Sequence, residues 1–371
     1  MRSFVLFSMI AAPVYADNAY PASVKNPAHF HPGYYLSVGQ AKIGSDPKAL
    51  YGALAGNADI VGAKRVFRWK DLETGYGIYD FSSIGADLAY LKSIGKQYWI
   101  NIATTQFDGT SPPNTPQYML GDATYGCGPK YYGNFARKAQ AGGWLPCYWN
   151  ANFASRFAAL MTALGQKLNN DSNFEGLDLG ETAISDADAR GVPGYTVAAV
   201  EDGYKKNALA AKSAFPDKVI IQNINFAVFN LKRFSTWLAQ NGIGIGNPDM
   251  NFSKPPLTKT VYPLELVYHN EVPTAPQVQW SNYTNNTITP GDDNIAETLL
   301  KRTIKDTNPY YLMWQKRKPF WPDQVLAAIR KVGPLPAAAQ FYSSVVSTSL
   351  PKSGATATTS LGTRPGYGDA H

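Results

Sequence analysis

The segment FEGLDLGETAI, residues 174–184, decides the fold class. It is a short apolar run that closes on a carboxylate, Glu181, where a strand should give way to a loop. Side chains alternate between the two faces of a strand. With Leu177 and Leu179 directed into a barrel, Glu181 follows them at the C-terminal mouth. In a parallel α/β barrel that mouth is where chemistry is done, so a carboxylate there reads as catalytic. The competing reading makes Glu181 a helix cap or the partner of a nearby arginine. Alternation sends Asp178 to the opposite face, towards the helices, unless a bulge turns it inward. Unpaired, a carboxylate buried on that face would be costly.

Upstream, YYLSVG (34–39), VGAKRVFRW (61–69) and QYWINIA (97–103) read as strands. Downstream, VIIQNINF (219–226), GIGIGNPDM (242–250), PQVQW (276–280) and YYLMWQ (310–315) do the same. Between them lie stretches such as DFSSIGADLAYLKSIG (80–95) and NFASRFAALMTALGQKL (152–168), whose apolar residues recur at helical spacing. Strand, helix and strand repeated eight times is the sequence form of an α/β (β/α)8, or TIM, barrel. A length of 371 residues suits one such barrel with long loop insertions at the C-terminal face of its strands. The sixth and seventh strands have the weakest pattern. The expected barrel covers 17–343, with insertions at 104–149 and 251–274, and a flexible or loosely packed tail follows at 344–371.

The start, MRSFVLFSMIAAPVYADNA, carries Arg2, an apolar run from Phe4 to Val14, and small residues at Val14 and Ala16. This is the pattern of a signal peptide, residues 1–16, cleaved after Ala16. No later segment approaches about 18 unbroken apolar residues, so no stable membrane insertion is expected. The protein should therefore be secreted or periplasmic. Its two cysteines, Cys127 and Cys147, lie in one loop-like region. In an oxidising compartment they could close a disulfide, two free thiols being the alternative.

The net charge is +7, spread along the chain with no run resembling a nucleic-acid arm. No nucleic-acid partner is expected, and an anionic polysaccharide or cell envelope would suit the charge. His29, His31, His269 and His371 are the only histidines, and no two have a helical metal-binding spacing. Neither a metal nor a cofactor is expected, since P-loop, dinucleotide and GxSxG signatures are also missing at the strand-to-helix junctions.

The segment RVFRWKDLETGYGIYDFSSI (65–84) resembles the second strand and following helix of the retaining (β/α)8 glycoside hydrolases of the clan A type. Its matching elements are Arg68, Trp69, Leu72, Glu73, Gly77, Tyr79, Asp80 and Phe81, with Asp80 placed to cap the helix. The resemblance implies a glycosidase acting on a polysaccharide or oligosaccharide, its general acid/base a Glu ending strand four. That role falls to Glu181, preceded by Gly180 where the clan usually has Asn. The clan's nucleophile is a Glu ending strand seven, but PQVQW offers only Gln279. An amide cannot attack an anomeric carbon.

The second carboxylate is then Asp249, ending strand six, or else Glu265 or Glu271 if strand seven lies elsewhere. Without one, the chain is a catalytically silent glycan-binding barrel. A wide Glu181–Asp249 pair would imply inversion of configuration. Positions at strand ends make Arg68, Trp69, Gln222, Asn225, Gln279, Trp280 and Trp314 the candidate sugar contacts.

Overall fold

Eight parallel strands close on themselves in a computed structural model that describes residues 20–107, 111–120, 122–125, 131–132, 143–184, 192–285 and 294–349. They are β1 (Gly33–Ser37), β2 (Gly62–Arg68), β3 (Gln97–Ala103), β4 (Phe174–Leu179), β5 (Val219–Asn223), β6 (Gly244–Asn247), β7 (Thr274–Val278) and β8 (Tyr311–Gln315). Each pairs with its successor, and β8 pairs with β1. This is the (β/α)8 barrel expected from the sequence, including the weakly patterned sixth and seventh strands.

The crossover helices start where a side chain can satisfy first-turn N–H groups that lack an intrahelical partner. Asn150 accepts from Phe153 at the head of Ala151–Leu168, and Thr196 accepts from Ala199 at the head of Val197–Ala214. Asn230 and Asn294 do the same for Leu231–Gln240 and Ile295–Thr307. Asp80 accepts from the backbone N–H of Ser82 at 2.9 Å, where helix Ser82–Ser93 opens.

Two expectations need correction. Residues 251–274 are not an added loop. A π turn, Leu257–Val261, runs into helix Tyr262–Tyr268 and supplies the ordinary crossover from β6 to β7. Pro255, Pro256 and Pro263 hid the helical pattern, although proline is tolerated in a first turn. Helix Pro336–Ser349 also carries regular backbone beyond the expected start of the tail at 344. Residues 1–16, the rest of the tail and Cys127 lie outside the described residues. No helix among the described residues is long and apolar enough to cross a membrane.

The barrel interior has two layers. At the N-terminal end, Tyr35, Trp99, Ile221, Tyr311 and Met313 pack together, with Phe30 and Phe341 in the same cluster. The Trp99 and Tyr311 rings meet edge to face at 5.1 Å, a favourable aromatic geometry. Towards the C-terminal mouth the interior turns polar. Lys64 of β2 reaches both Asp178 of β4 and Gln277 of β7, strands that are not its neighbours. Only side chains pointing inward can meet in this way.

Asp178 therefore faces the barrel axis, and Leu177 and Leu179 pack outward with the helices, the reverse of the sequence expectation. The outer face of a barrel strand is as apolar as the inner one, so hydrophobicity alone does not fix its phase.

Candidate active site

The mouth is built on the Lys64–Asp178 ion pair, closed at 2.6 Å with both side chains almost fully buried. Asn223 donates to the same Asp178 oxygen at 3.3 Å, and Asn101 donates to the Asp178 carbonyl at 3.1 Å. Above this floor opens a cavity of about 300 Å³. Much of its polar lining is neutral amide: Asn101, Gln106, Asn223, Gln277, Gln279 and Gln315. Glu181 and Trp280 line it as well, the Trp280 ring being 53% exposed.

Glu181 reaches the cavity by the turn of the chain after Gly180 rather than by the pleat of β4, which ends at Leu179. Two contacts from β5 and its following loop fix this turn. Gln222 donates to the Gly180 carbonyl at 2.7 Å, and Asn225 donates to the Glu181 carboxylate. Tyr204 holds the Glu181 carbonyl at 3.2 Å while stacking on Tyr148. Burial pushes the Glu181 carboxyl up from 4.5 to about 7. The Asn225 donation opposes that shift, and the negative charge of Asp249 adds to it.

Asp249 lies in the loop after β6, next to Pro248 of the cavity wall but not itself on that wall. Its N–H donates to Asn247 Oδ1 at 3.0 Å, and its carbonyl accepts from Tyr262 Oη at 2.9 Å. Asn282 donates to its carboxylate and also accepts from the N–H of Gln279 at 2.7 Å, which ties the loops after β6 and β7 together. Burial raises the Asp249 carboxyl, against the Asn282 donation and the positive charge of Lys254. The two alternatives lie elsewhere. Glu265 is fully buried on helix Tyr262–Tyr268, accepts from Asn247 at 2.7 Å, and is pushed well up by burial. Glu271 is exposed before the start of β7, at the opposite end of the barrel.

Several residues expected to touch a ligand do not line the cavity. Trp69 and Trp314 are wholly buried in the outer core: Trp69 packs on Phe153 and Phe157 and donates to Glu73, while Trp314 stacks on Tyr283. Both follow the outward phase of their strand ends. Gln222 is also buried, spent on the Gly180 carbonyl. Arg68 is half-buried and engaged twice by Asp71. Asn225 is buried behind Glu181, and Gln279 and Trp280 remain on the cavity wall.

Cavity residues missed in the sequence include Lys64, Asn101, Asn223 and Gln277, each a polar side chain inside an otherwise apolar strand, a signal available without coordinates.

A larger cavity, about 570 Å³, opens at the N-terminal ends of β5, β6 and β7, beside Lys212, Gly242 and Glu271. Lys212 sits in the last turn of helix Val197–Ala214, where a cation complements the helix dipole. Features at this end of a barrel serve stability rather than chemistry. Among the described residues no group of three or more His, Cys, Asp and Glu side chains could hold a metal ion.

No family model and no curated protein matches the sequence. Among solved structures, the chain is similar to the catalytic domain of beta-amylase from Paenibacillus polymyxa, with a TM-score of 0.57 at 10% identity, over 87% of this chain and 100% of that one. It is similar to the exo-beta-1,4-mannosidase Op5Man5 from Opitutaceae bacterium strain TAV5, with a TM-score of 0.51 at 12% identity, over 85% of this chain and 60% of that one. Endo-glycoceramidase II from Rhodococcus sp. gives 0.50 at 11% identity, over 84% and 78%. The likeness is one of fold.

Proposed function

We propose that the protein is a glycoside hydrolase that cleaves a polysaccharide or oligosaccharide, with Glu181 as general acid and Asp249 as the second carboxylate. The observation that carries this reading is the Glu181 carboxyl on the mouth cavity, pushed up to about 7 by burial. A general acid must keep its proton near working pH, and desolvation is the usual means. Asp249 is assigned as the matching base because it is the carboxylate whose charge acts on Glu181. It follows β6, two places round the barrel from β4. Hydrolysis with inversion uses carboxyls about 6.5–9.5 Å apart, which leaves room for a water.

The cavity suits a neutral sugar better than an anionic one. Its lysine is already paired with Asp178, and amides both donate to and accept from hydroxyls. The exposed Trp280 ring offers a face for a sugar to stack on, with Gln279 and Gln315 beside it. The barrel shared with beta-amylase and mannosidase structures adds weight by analogy alone. Export after removal of residues 1–16 belongs to the same proposal, as does a Cys127–Cys147 disulfide stapling the loop after β3.

A second reading, a glycan-binding barrel without turnover, is favoured by Gln279 standing where the clan has its nucleophile. One experiment separates the two. A glycan panel is digested with wild type beside Glu181→Gln. Product from the wild type alone supports hydrolysis through Glu181. Equal product from both sinks that assignment, and binding without product from either favours the second reading.

A further inference from the structure

We propose that Ser37 and Lys64, the latter held by Asp178, form a sugar-hydroxyl site at the floor of the mouth cavity, selecting a neutral pyranose by two adjacent hydroxyls. The ligand class rests on the glycosidase reading; the site itself rests on two cavity groups with hydrogen-bonding capacity to spare. Ser37 ends β1, is 1% exposed, and its Oγ has no partner among the described residues. Asp178 is 3% exposed, and its Oδ1 is likewise unpartnered while Oδ2 is held by Lys64 and Asn223. Lys64 carries three N–H donors, of which two go to Asp178 and Gln277. Ser37 and Lys64 are paired in register across β1 and β2, and both line the cavity that Glu181 lines.

Buried polar atoms are nearly always satisfied, because leaving one bare is costly. The spare donor of Lys64 and the unpartnered hydroxyl of Ser37, neighbours on the cavity wall, point to a partner that both donates and accepts. Water meets that need, and so does a sugar hydroxyl at the same positions. One hydroxyl can accept from Lys64, while its neighbour engages Ser37 Oγ, and Asp178 holds the Lys64 ammonium in place from behind. Beneath, the Tyr35, Trp99 and Tyr311 rings close the barrel, so a ligand can enter only from the mouth. The site is charge-balanced, Lys64 against Asp178, so a uronate would find no unpaired cation there. A sugar lacking one of the hydroxyls leaves charged groups unmatched, the arrangement that discriminates most strongly in binding sites.

The test measures binding by calorimetry in the Glu181→Gln background, using the tightest-binding member of a panel of neutral oligosaccharides and its monodeoxy analogues. Ser37→Ala should weaken binding several-fold. The paired variant Lys64→Met/Asp178→Asn, which removes both charges together, should weaken it about tenfold or more. One monodeoxy analogue should bind worse than the parent sugar to the Glu181→Gln protein but equally to the paired variant, a coupling that a structural role alone would not produce. Folded variants that bind the parent sugar unchanged overturn the site, while wild-type turnover keeps the glycosidase reading intact. If the paired variant does not fold, Ser37→Ala with the same analogues decides. A wild type that binds glycan with the deoxy penalty but cleaves none supports the site and sinks the hydrolase; one that binds no glycan overturns both.

Discussion

Asn225 holds Glu181: its Nδ2 donates to the Glu181 carboxylate, while its own backbone N–H and C=O are both bonded to Thr182 Oγ1, at 2.9 and 2.6 Å. The loop after β5 thus clamps the residue after Glu181 and the carboxylate itself. A hydrogen bond to a charged group is worth about 1.5–3 kcal/mol, so Asn225→Ala should lower kcat about 10- to 100-fold. Because the donation favours the ionised form, its loss should also move the alkaline limb of the pH–rate profile upward. Steady-state kinetics across pH read both effects. An unshifted limb with full activity would detach Asn225 from the site.

The pH dependence of the wild type follows from the two carboxyls. A general acid works protonated, so activity should fall as pH rises through about 7, where Glu181 ionises. A general base works ionised. The acid limb should therefore lie above the ordinary aspartate range, since burial raises Asp249. A bell-shaped kcat/KM profile is expected, and an alkaline limb that persists in Glu181→Gln would assign it to another group.

Stability should move the other way from the common carboxylate case. The folded-state value of Glu181 is raised, so the native protein binds more protons than the unfolded chain between pH 4.5 and about 7. Its contribution is present below that window and is lost as pH rises through it. Glu181→Gln should therefore raise Tm at pH 8 and change it little at pH 4.5. Calorimetry at the two pH values gives the comparison, and equal shifts at both would contradict the burial argument.

The barrel was legible in the sequence because its eight strands are bounded by glycines, prolines and capped helices, all local signals. The phase of β4 was not. Gly176 has room for no side chain, since a Cβ there would lie 2.2 Å from the Val219 carbonyl and about 3 Å from the Trp99 ring. β4 ends at Leu179 and the chain turns after Gly180, so Glu181 reaches the mouth out of step with Leu177 and Leu179, and counting alternation back from it fails. Trp69 and Trp314 were misread for a related reason: near a strand end, an aromatic ring can pack under the helices as easily as over the mouth. Asp249 was found as a carboxylate after β6, but its tether to Asn282 joins residues 33 apart, which no local pattern reveals.

The two tryptophan environments can be told apart directly. Trp69→Ala removes a buried ring packed on Phe153 and Phe157, and should cost about 3–5 kcal/mol of stability. Trp280→Ala removes a half-exposed ring stacked against Arg317, so Tm should barely change while KM for an oligosaccharide rises several-fold. Thermal melts and kinetics on both variants read the contrast. A large loss of stability in Trp280→Ala would make it a packing residue.

Asp249 carries the most discriminating prediction, because it fixes the stereochemistry. It lies in the loop after β6, two strands from β4, is tied to Asn282, and in the proposed mechanism takes a proton from a water rather than attacking the sugar itself. Asp249→Asn should slow hydrolysis about 10²- to 10⁴-fold, the range for loss of a general base. Proton NMR of the first product should show the anomer opposite to the substrate. Retention would mean that a nucleophilic carboxylate lies closer to Glu181. Full activity in Asp249→Asn would remove this residue from the reaction and leave the amide-lined cavity with a single acid.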